Sequence, residues 1–316
     1  RTKAYQICAT RGQLDKGCRA GVVGVPCQTK CSQEVRNMSF PRTMVGGLSV
    51  SRMIIGTNWF LGWSHQSPAK DHLIKSKMDR KAIADVLEVF FRSGVDTIMG
   101  PLAQNPSIFD AIKDAEDRTG AKCIKVDTPI INVQDTGAGR DETKAILDQV
   151  AASGAEICMP HHTSVERLLD RSTQQIRRLG EYTDMIRERG MIPGLSAHMP
   201  EVLAYADQND YDVETYIQIY NCMGFLMQIE VEWIHKLITN AKKPVMTIKP
   251  MAAGRVTPFV GLTFVWNTIR DQDMVTVGTM TPAEAAEVIE LSLAILERRS
   301  PNIGVRSSPS KYTVPR

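Results

Sequence analysis

Two adjacent histidines, His161 and His162, close a short apolar run that begins at Ala155. A glycine turn at Ser153-Gly154 releases the run, and a polar, helix-starting segment follows it. Histidine is the side chain whose ordinary pKa lies nearest neutrality, so at a strand end it can pass a proton or ligate a metal. Other titratable residues stand at similar junctions: His65, Asp127, His198 and Lys249 each follow an apolar run. The catalytic candidates are therefore His161, His162, His65, Asp127 and Lys249, titratable groups that separate strands or their loops would bring to one rim. A second arrangement draws on the same residues. His65, His162 and His198, with Asp127 or Glu230, would hold a divalent metal that polarises a sugar carbonyl or hydroxyl. No His-x-x-x-His or comparable local ligand pair accompanies that set. Structural roles compete with each reading. Either ring of the pair would cap a strand, Asp127 opens an Asp-Thr-Pro turn that Lys249 would neutralise, and His65 on a long loop would stand idle.

A strand/helix alternation must position these residues. Residues 43–50 alternate around Gly46-Gly47 and predict a hairpin. Buried strands are expected at 52–56, 95–99, 122–126, 155–159, 191–197, 213–220, 245–249 and 274–277. Apolar residues at helical spacing predict helices over 79–93, 108–119, 141–152, 173–189, from Glu201, over 228–240 and from 258 to about 270. The last helix opens at Thr281-Pro282-Ala283-Glu284, with an N-cap, a first-turn proline and an acid beside the dipole. Gly94, Gly120, Gly154 and Gly190 stand where a helix ends and a strand follows, the left-handed cap position. Residues 57–68 read as a loop carrying Trp59, Phe60, Trp63, His65 and Gln66; its tryptophans suit stacking on a sugar or flat ring, while Phe60 suits a core. Eight strands alternating with eight helices close as a parallel (β/α)8 TIM barrel with an N-terminal hairpin, and such barrels do their chemistry at the C-terminal rim. The division expected is an irregular basic arm over 1–42, the barrel over 43–299 and a loose tail over 300–316.

The 316 residues are 43% hydrophobic and 23% charged, ordinary for a chain that buries a full core. No apolar run of about eighteen residues is available to span a membrane. The arm holds eight Lys and Arg against Asp15 and Glu34, a formal +6 within the chain's +3, which leaves the remainder at −3. No basic stripe with interleaved aromatics accompanies the arm, so a nucleic-acid partner is not expected, and a small-molecule substrate is. The arm's Cys8, Cys18, Cys27 and Cys31 lack zinc-site spacing, and Cys123, Cys158 and Cys222 fall in apolar runs as reduced core residues. This usage favours a reducing, cytoplasmic setting, although a chain beginning at Arg1 leaves a removed signal open.

From residue 43 to 298 the segments, taken in order, resemble the aldo/keto reductases. Gly47-Leu48-Ser49-Val50-Ser51-Arg52-Met53-Ile54-Ile55-Gly56-Thr57 looks like that family's hairpin and first strand, and Gly194-Leu195-Ser196 like its fifth. Gln218 with Tyr220-Asn221 resembles the sixth strand, Lys249 to Arg255 the seventh with its loop, and Val277-Gly278 with Glu284 and Glu287 the eighth with its helix. The resemblance implies an NAD(P)-linked oxidoreductase acting on a polar carbonyl or carbohydrate. It implies cofactor contacts from Ser196, Gln218, Tyr220, Asn221, Gly254, Arg255 and Gly278, and it places the family's histidine at His161 or His162. The rest of the family's tetrad departs. Met99 stands where its aspartate is expected, no tyrosine lies between Tyr5 and Tyr182, and the lysine position falls near Asp127, with Lys125 displaced from it. Ala197 replaces an expected asparagine, and the absence of Lys or Arg between Arg270 and Arg298 favours NAD over NADP. The alternatives are a metal-dependent sugar isomerase or lyase and a non-catalytic binding barrel, which the missing tyrosine and aspartate would also suit.

Overall fold

The computed structural model describes residues 39–304. The arm through residue 38, with its four cysteines, and the tail beyond 304 lie outside the described residues. Eight parallel segments make the barrel: β1 Met53–Gly56, β2 Thr97–Gly100, β3 Ile124–Asp127, β4 Ile157–Cys158, β5 in two pieces at Ile192–Pro193 and Leu195–Ser196, β6 Tyr216–Ile219, β7 Val245–Ile248 and β8 Met274–Val277. Each pairs with its sequence neighbour, and β8 pairs with β1, Val275 opposite Met53. The ring is completed through β5, whose first piece pairs with β4 and whose second pairs with β6. Gly194 between the pieces explains the break. A Cβ there would lie 2.8 Å from Thr215 Cγ2 and 2.9 Å from Met159 Cε, so only glycine lets the strand bend into that space.

The barrel interior is filled by Ile54, Val126, Ile157, Ile217 and four methionines, Met99, Met159, Met246 and Met274. Unbranched methionine fills irregular gaps that branched side chains leave. The predicted hairpin is present, Arg42–Val45 against Leu48–Ser51, and its Val45 and Val50 join this interior cluster. Its turn residue Gly46 has φ +54 and sits where a Cβ would come 2.8 Å from Ile192, so both backbone and space require glycine. Outside the ring run α1 Arg80–Arg92, α2 Ser107–Thr119, α3 Gly137–Ala152, α4 Leu179–Arg187, α5 Pro200–Gln208, α6 Val231–Asn240, α7 Pro258–Thr268 and α8 Pro282–Leu296. The four expected cap glycines all have positive φ, between 74° and 77°. The capping box at Thr281 and Glu284 forms. Phe40 is buried against Trp266, so the packed barrel begins before the hairpin. No described helix is long and apolar enough to cross a membrane.

Two expectations fail. The helix expected over 173–189 is cut to α4, and a small hairpin, Leu169–Asp170 with Gln175–Ile176, takes its first part. Asp170 Oδ1 accepts from the Ser172 and Thr173 amides, an Asx turn, and Gln174 and Arg178 adopt positive φ, so helical dihedrals cannot start earlier. Within the expected loop 57–68 a helical turn runs over Asn58–Leu61, and a full helix begins at its end, Pro68–Lys77, capped by Ser67. That helix buries only Ile74, which leaves almost no apolar period to read.

Candidate active site

The rings meet at one end of the barrel. His161 and His162 follow β4, and their ring centroids lie 4.2 Å apart. His198, following β5, stacks on His162 at 3.8 Å with 18° between the planes. Lys249, following β7, brings its Nζ to 3.4 Å from His65 Nε2, contributed by the loop after β1. Met246 and Ile248 face the barrel interior, so alternation would turn Lys249 outward; its left-handed backbone, φ +61, breaks that alternation.

Glu166 organises the cluster. Its Oε1 accepts from the backbone N–H groups of His198 (2.6 Å) and Met199 (2.9 Å), at the start of α5, where a carboxylate is favoured by the helix dipole. Its Oε2 lies 3.4 Å from His162 Nδ1. Burial works to raise the Glu166 pKa, and the hydrogen bonds from His162 and the two amides overcome it, so the carboxylate lies below its usual range. An ionised carboxylate only accepts, so Nδ1 of His162 carries a proton and Nε2 is left to give or take one.

The surrounding rings are neutral near pH 7. Burial, then the His162 charge, lowers His161 to about 4, and burial, then His162 and Lys249, lowers His198 to about 3. His65 is lowered by partial burial and by Lys249. Its Nδ1 points at the Trp63 carbonyl, 3.2 Å away, and must donate; Nε2 therefore presents a lone pair to Lys249. Desolvation lowers half-buried Lys249 to about 8, and no carboxylate lies within ion-pair distance of it among the described residues. His161 caps a helix and not the strand: its Nδ1 takes the Thr163 amide at 3.4 Å and opens the short helix His162–Val165.

Asp127 is not part of this cluster. Ile124 and Val126 face the barrel interior, which turns Asp127 outward, where it is fully buried and its Oδ2 accepts from the Ala103 amide at 2.7 Å. It makes no ion pair with Lys249, and its Oδ1 has no partner among the described residues. Desolvation, only partly offset by the Ala103, Leu102 and Thr128 amides, raises its pKa to about 6. A raised folded pKa favours the protonated native state, so this group's contribution to stability is present below about pH 4 and is lost as pH rises through 6. Asp127→Asn removes that dependence. Between pH 4 and 7 the unfolding free energy of the variant relative to wild type should move by up to about 3 kcal/mol in its favour. Urea denaturation at both pH values measures it, and an unchanged difference would show that the carboxyl does not titrate as described.

The metal set does not assemble. Face-to-face stacking of His162 and His198 keeps their in-plane lone pairs from converging on one ion, and His65 Nε2 is turned to Lys249. Glu230 is exposed at the start of α6. No group of three His, Cys, Asp or Glu among the described residues has metal-binding geometry.

The residues implied as nucleotide contacts do not form a cradle either. The buried ring of Tyr220 packs on Phe264, and its hydroxyl donates to Thr268 Oγ1 at 3.0 Å. Asn221 is spent on its own loop, bonding Met223 and Phe225. Trp59 Cδ1 lies 2.6 Å from a Cβ built on Gly278, and Gln66 Nε2 lies 2.6 Å from one on Gly254. Arg255 bonds the Ala252 carbonyl and lies over the Phe225 ring, 4.1 Å to its centroid. Ser196 and Gln218 are buried within their strands. These residues, as arranged, do not fit a dinucleotide. Phe60 is in the core as expected, while Trp63 is exposed.

The barrel is similar to solved structures. Two structures from Pseudomonas aeruginosa, each of a protein assigned to the aldo-keto reductases, match with TM-scores of 0.55 and 0.56 at 15% and 16% identity, each over 82% of this chain and 98% and 97% of theirs. An aldo/keto reductase from Brucella melitensis matches with a TM-score of 0.50 at 12% identity, over 82% of this chain and 99% of its own. No protein-family model matches the sequence, and no curated protein does. The fold is therefore the aldo-keto-reductase-like (β/α)8 barrel, and at these identities the likeness establishes the fold alone.

Proposed function

We propose that the chain is a small-molecule enzyme that moves protons on a small polar carbonyl compound, a hydroxylated aldehyde or ketone of the carbohydrate kind, without a bound nucleotide. The observation that supports this reading is the His162–Glu166 pair, flanked by neutral His161 and His198 that both feel the Lys249 charge at the same rim. A base oriented by a carboxylate and a cationic group beside the same space are what proton abstraction next to a carbonyl asks for. His162 Nε2 takes and returns the proton, Lys249 activates the carbonyl, and neutral His161 and His198 offer hydrogen bonds to hydroxyl groups.

The second reading, NAD(P)-linked reduction of the same substrate class, is favoured by the barrel that the chain shares with aldo-keto reductases. It requires a nucleotide site built from other residues than those named above. Proton NMR in D2O with glyceraldehyde, dihydroxyacetone and hydroxyacetone separates the two. Loss of the signal from the carbon next to the carbonyl, without nucleotide, is the expected result. Tryptophan fluorescence, reporting from Trp59 and Trp63, is titrated in parallel with NADH and NADPH. Quenching by nucleotide with no exchange would replace the first reading with the second. Neither response in a protein that still melts cooperatively would leave a non-catalytic binding barrel.

A further inference from the structure

Lys249 is placed unlike the other lysines of the described chain. It is half-buried at the barrel mouth, has no carboxylate within 4.0 Å among the described residues, and contacts a histidine through that ring's lone pair. Structural lysines at such depth are usually paired with a carboxylate, because an unpaired ammonium there loses hydration without compensation. Among the described residues, the titratable groups its charge is felt by are nitrogen bases: His65, His161 and His198. Its left-handed backbone is an uncommon conformation for a side chain of this length, held where the amine reaches the rim.

Resting on the acid–base reading above, we infer that the Lys249 amine is a covalent catalyst that forms an imine with the carbonyl carbon of a small hydroxylated aldehyde or ketone. His65 Nε2 takes a proton from the ammonium. The freed Nζ lone pair adds to the carbonyl carbon, the C=O π pair moves onto oxygen, and that oxygen gains a proton to give a carbinolamine. Protonation of its hydroxyl lets water leave while the nitrogen lone pair closes the C=N bond, so one amine and one carbonyl yield one imine and one water. The protonated imine draws electrons from the neighbouring carbon, whose proton passes to His162 Nε2 and back. Water then adds to the imine carbon and releases the carbonyl compound and the free amine. No oxidant, reductant or metal enters. Burial that lowers Lys249 to about 8 supports the step, since it raises the free-amine fraction at pH 7 by about two orders of magnitude over an ordinary lysine.

Reductive trapping on the wild-type protein tests it. Glyceraldehyde or hydroxyacetone is added with sodium cyanoborohydride at pH 7, and peptide mass mapping follows the modification of each lysine. Lys249 is expected to be modified at least about tenfold faster than the exposed Lys77 and Lys144, and His65→Ala is expected to slow that labelling selectively. Uniform labelling of exposed lysines with Lys249 left behind would overturn the inference. Lys249→Arg, which keeps the charge but cannot form the imine, provides the second arm. Deuterium exchange lost in this variant, with the melting transition unchanged, supports the covalent step. Exchange at the wild-type rate would sink it while leaving the proton-transfer reading in place. Trapping at Lys249 in a protein that shows no exchange would instead remove that reading and, with it, the catalytic role given to the imine.

Discussion

His162→Ala is expected to lower carbonyl-adjacent proton exchange by about a hundredfold to ten-thousandfold, the range a positioned general base supplies. The ring is only partly buried, 21% exposed at its side chain, and Glu166 keeps both backbone N–H donors after the substitution. The melting temperature should therefore fall by only a few degrees. Glu166→Gln separates catalysis from packing. The amide oxygen can still accept from His198 and Met199, but its NH2 group then faces His162 Nδ1 and favours the tautomer with the proton on Nε2. Exchange should fall as it does in the alanine variant, with every ring still in place. Retained exchange in both variants, or a collapse of folding in the first, would show that the stack is structural.

The convergence of imidazoles was legible because each histidine follows an apolar run, and parallel strands in a closed ring deliver their ends to one rim. Glu166 was missed, yet the signal was present. It stands four residues after His162, the spacing that brings side chains together on a helical turn. The segment after the pair reads as helix-starting, and that short turn brings Glu166 back to His162. Asp127 misled for the opposite reason. Its place at a strand end was right, but alternation along β3 sends it outward, and counting from Ile124 decides that. The nucleotide residues came from the family likeness alone. The contacts that engage two of them, Trp59 beside Gly278 and Gln66 beside Gly254, join sequence-distant loops, which no local pattern records.

Barrel and helix order were legible through period and cap glycines, because those signals act within a few residues. The break in β5 was not, since Gly194 matters only through Met159 on one neighbouring strand and Thr215 beside the other. Residues 173–178, mostly polar, read as helix because their composition permits one; an Asx turn before them and two left-handed residues override it.

The clasp beneath the barrel shows the same long-range logic and carries the largest expected loss of stability. Asp273 is fully buried just before β8. Its Oδ1 accepts from the Val245 amide at 2.9 Å and from Arg270 Nη2 at 2.7 Å, and its Oδ2 accepts from the Arg270 amide and Nε, both at 2.9 Å. Arg270 also donates to the Lys243 carbonyl at 2.9 Å, and Arg52, just before β1, donates to the Asp273 and Arg270 carbonyls at 3.0 and 2.9 Å. The carboxylate thus ties the entrances of β7 and β8, and Arg52 joins that clasp to β1 through main-chain carbonyls, where the last strand meets the first. Asp273→Ala leaves the Val245 amide unpaired and the guanidinium without its anion, and removing one partner of such a buried pair costs about 3–5 kcal/mol. Urea unfolding should show that loss, with the midpoint lowered and the slope unchanged. Asp273→Asn keeps an acceptor for the Val245 amide and should recover part of it. A loss below about 1 kcal/mol in the alanine variant would mean that β8 closes on β1 through backbone pairing and the Val275–Met53 register alone.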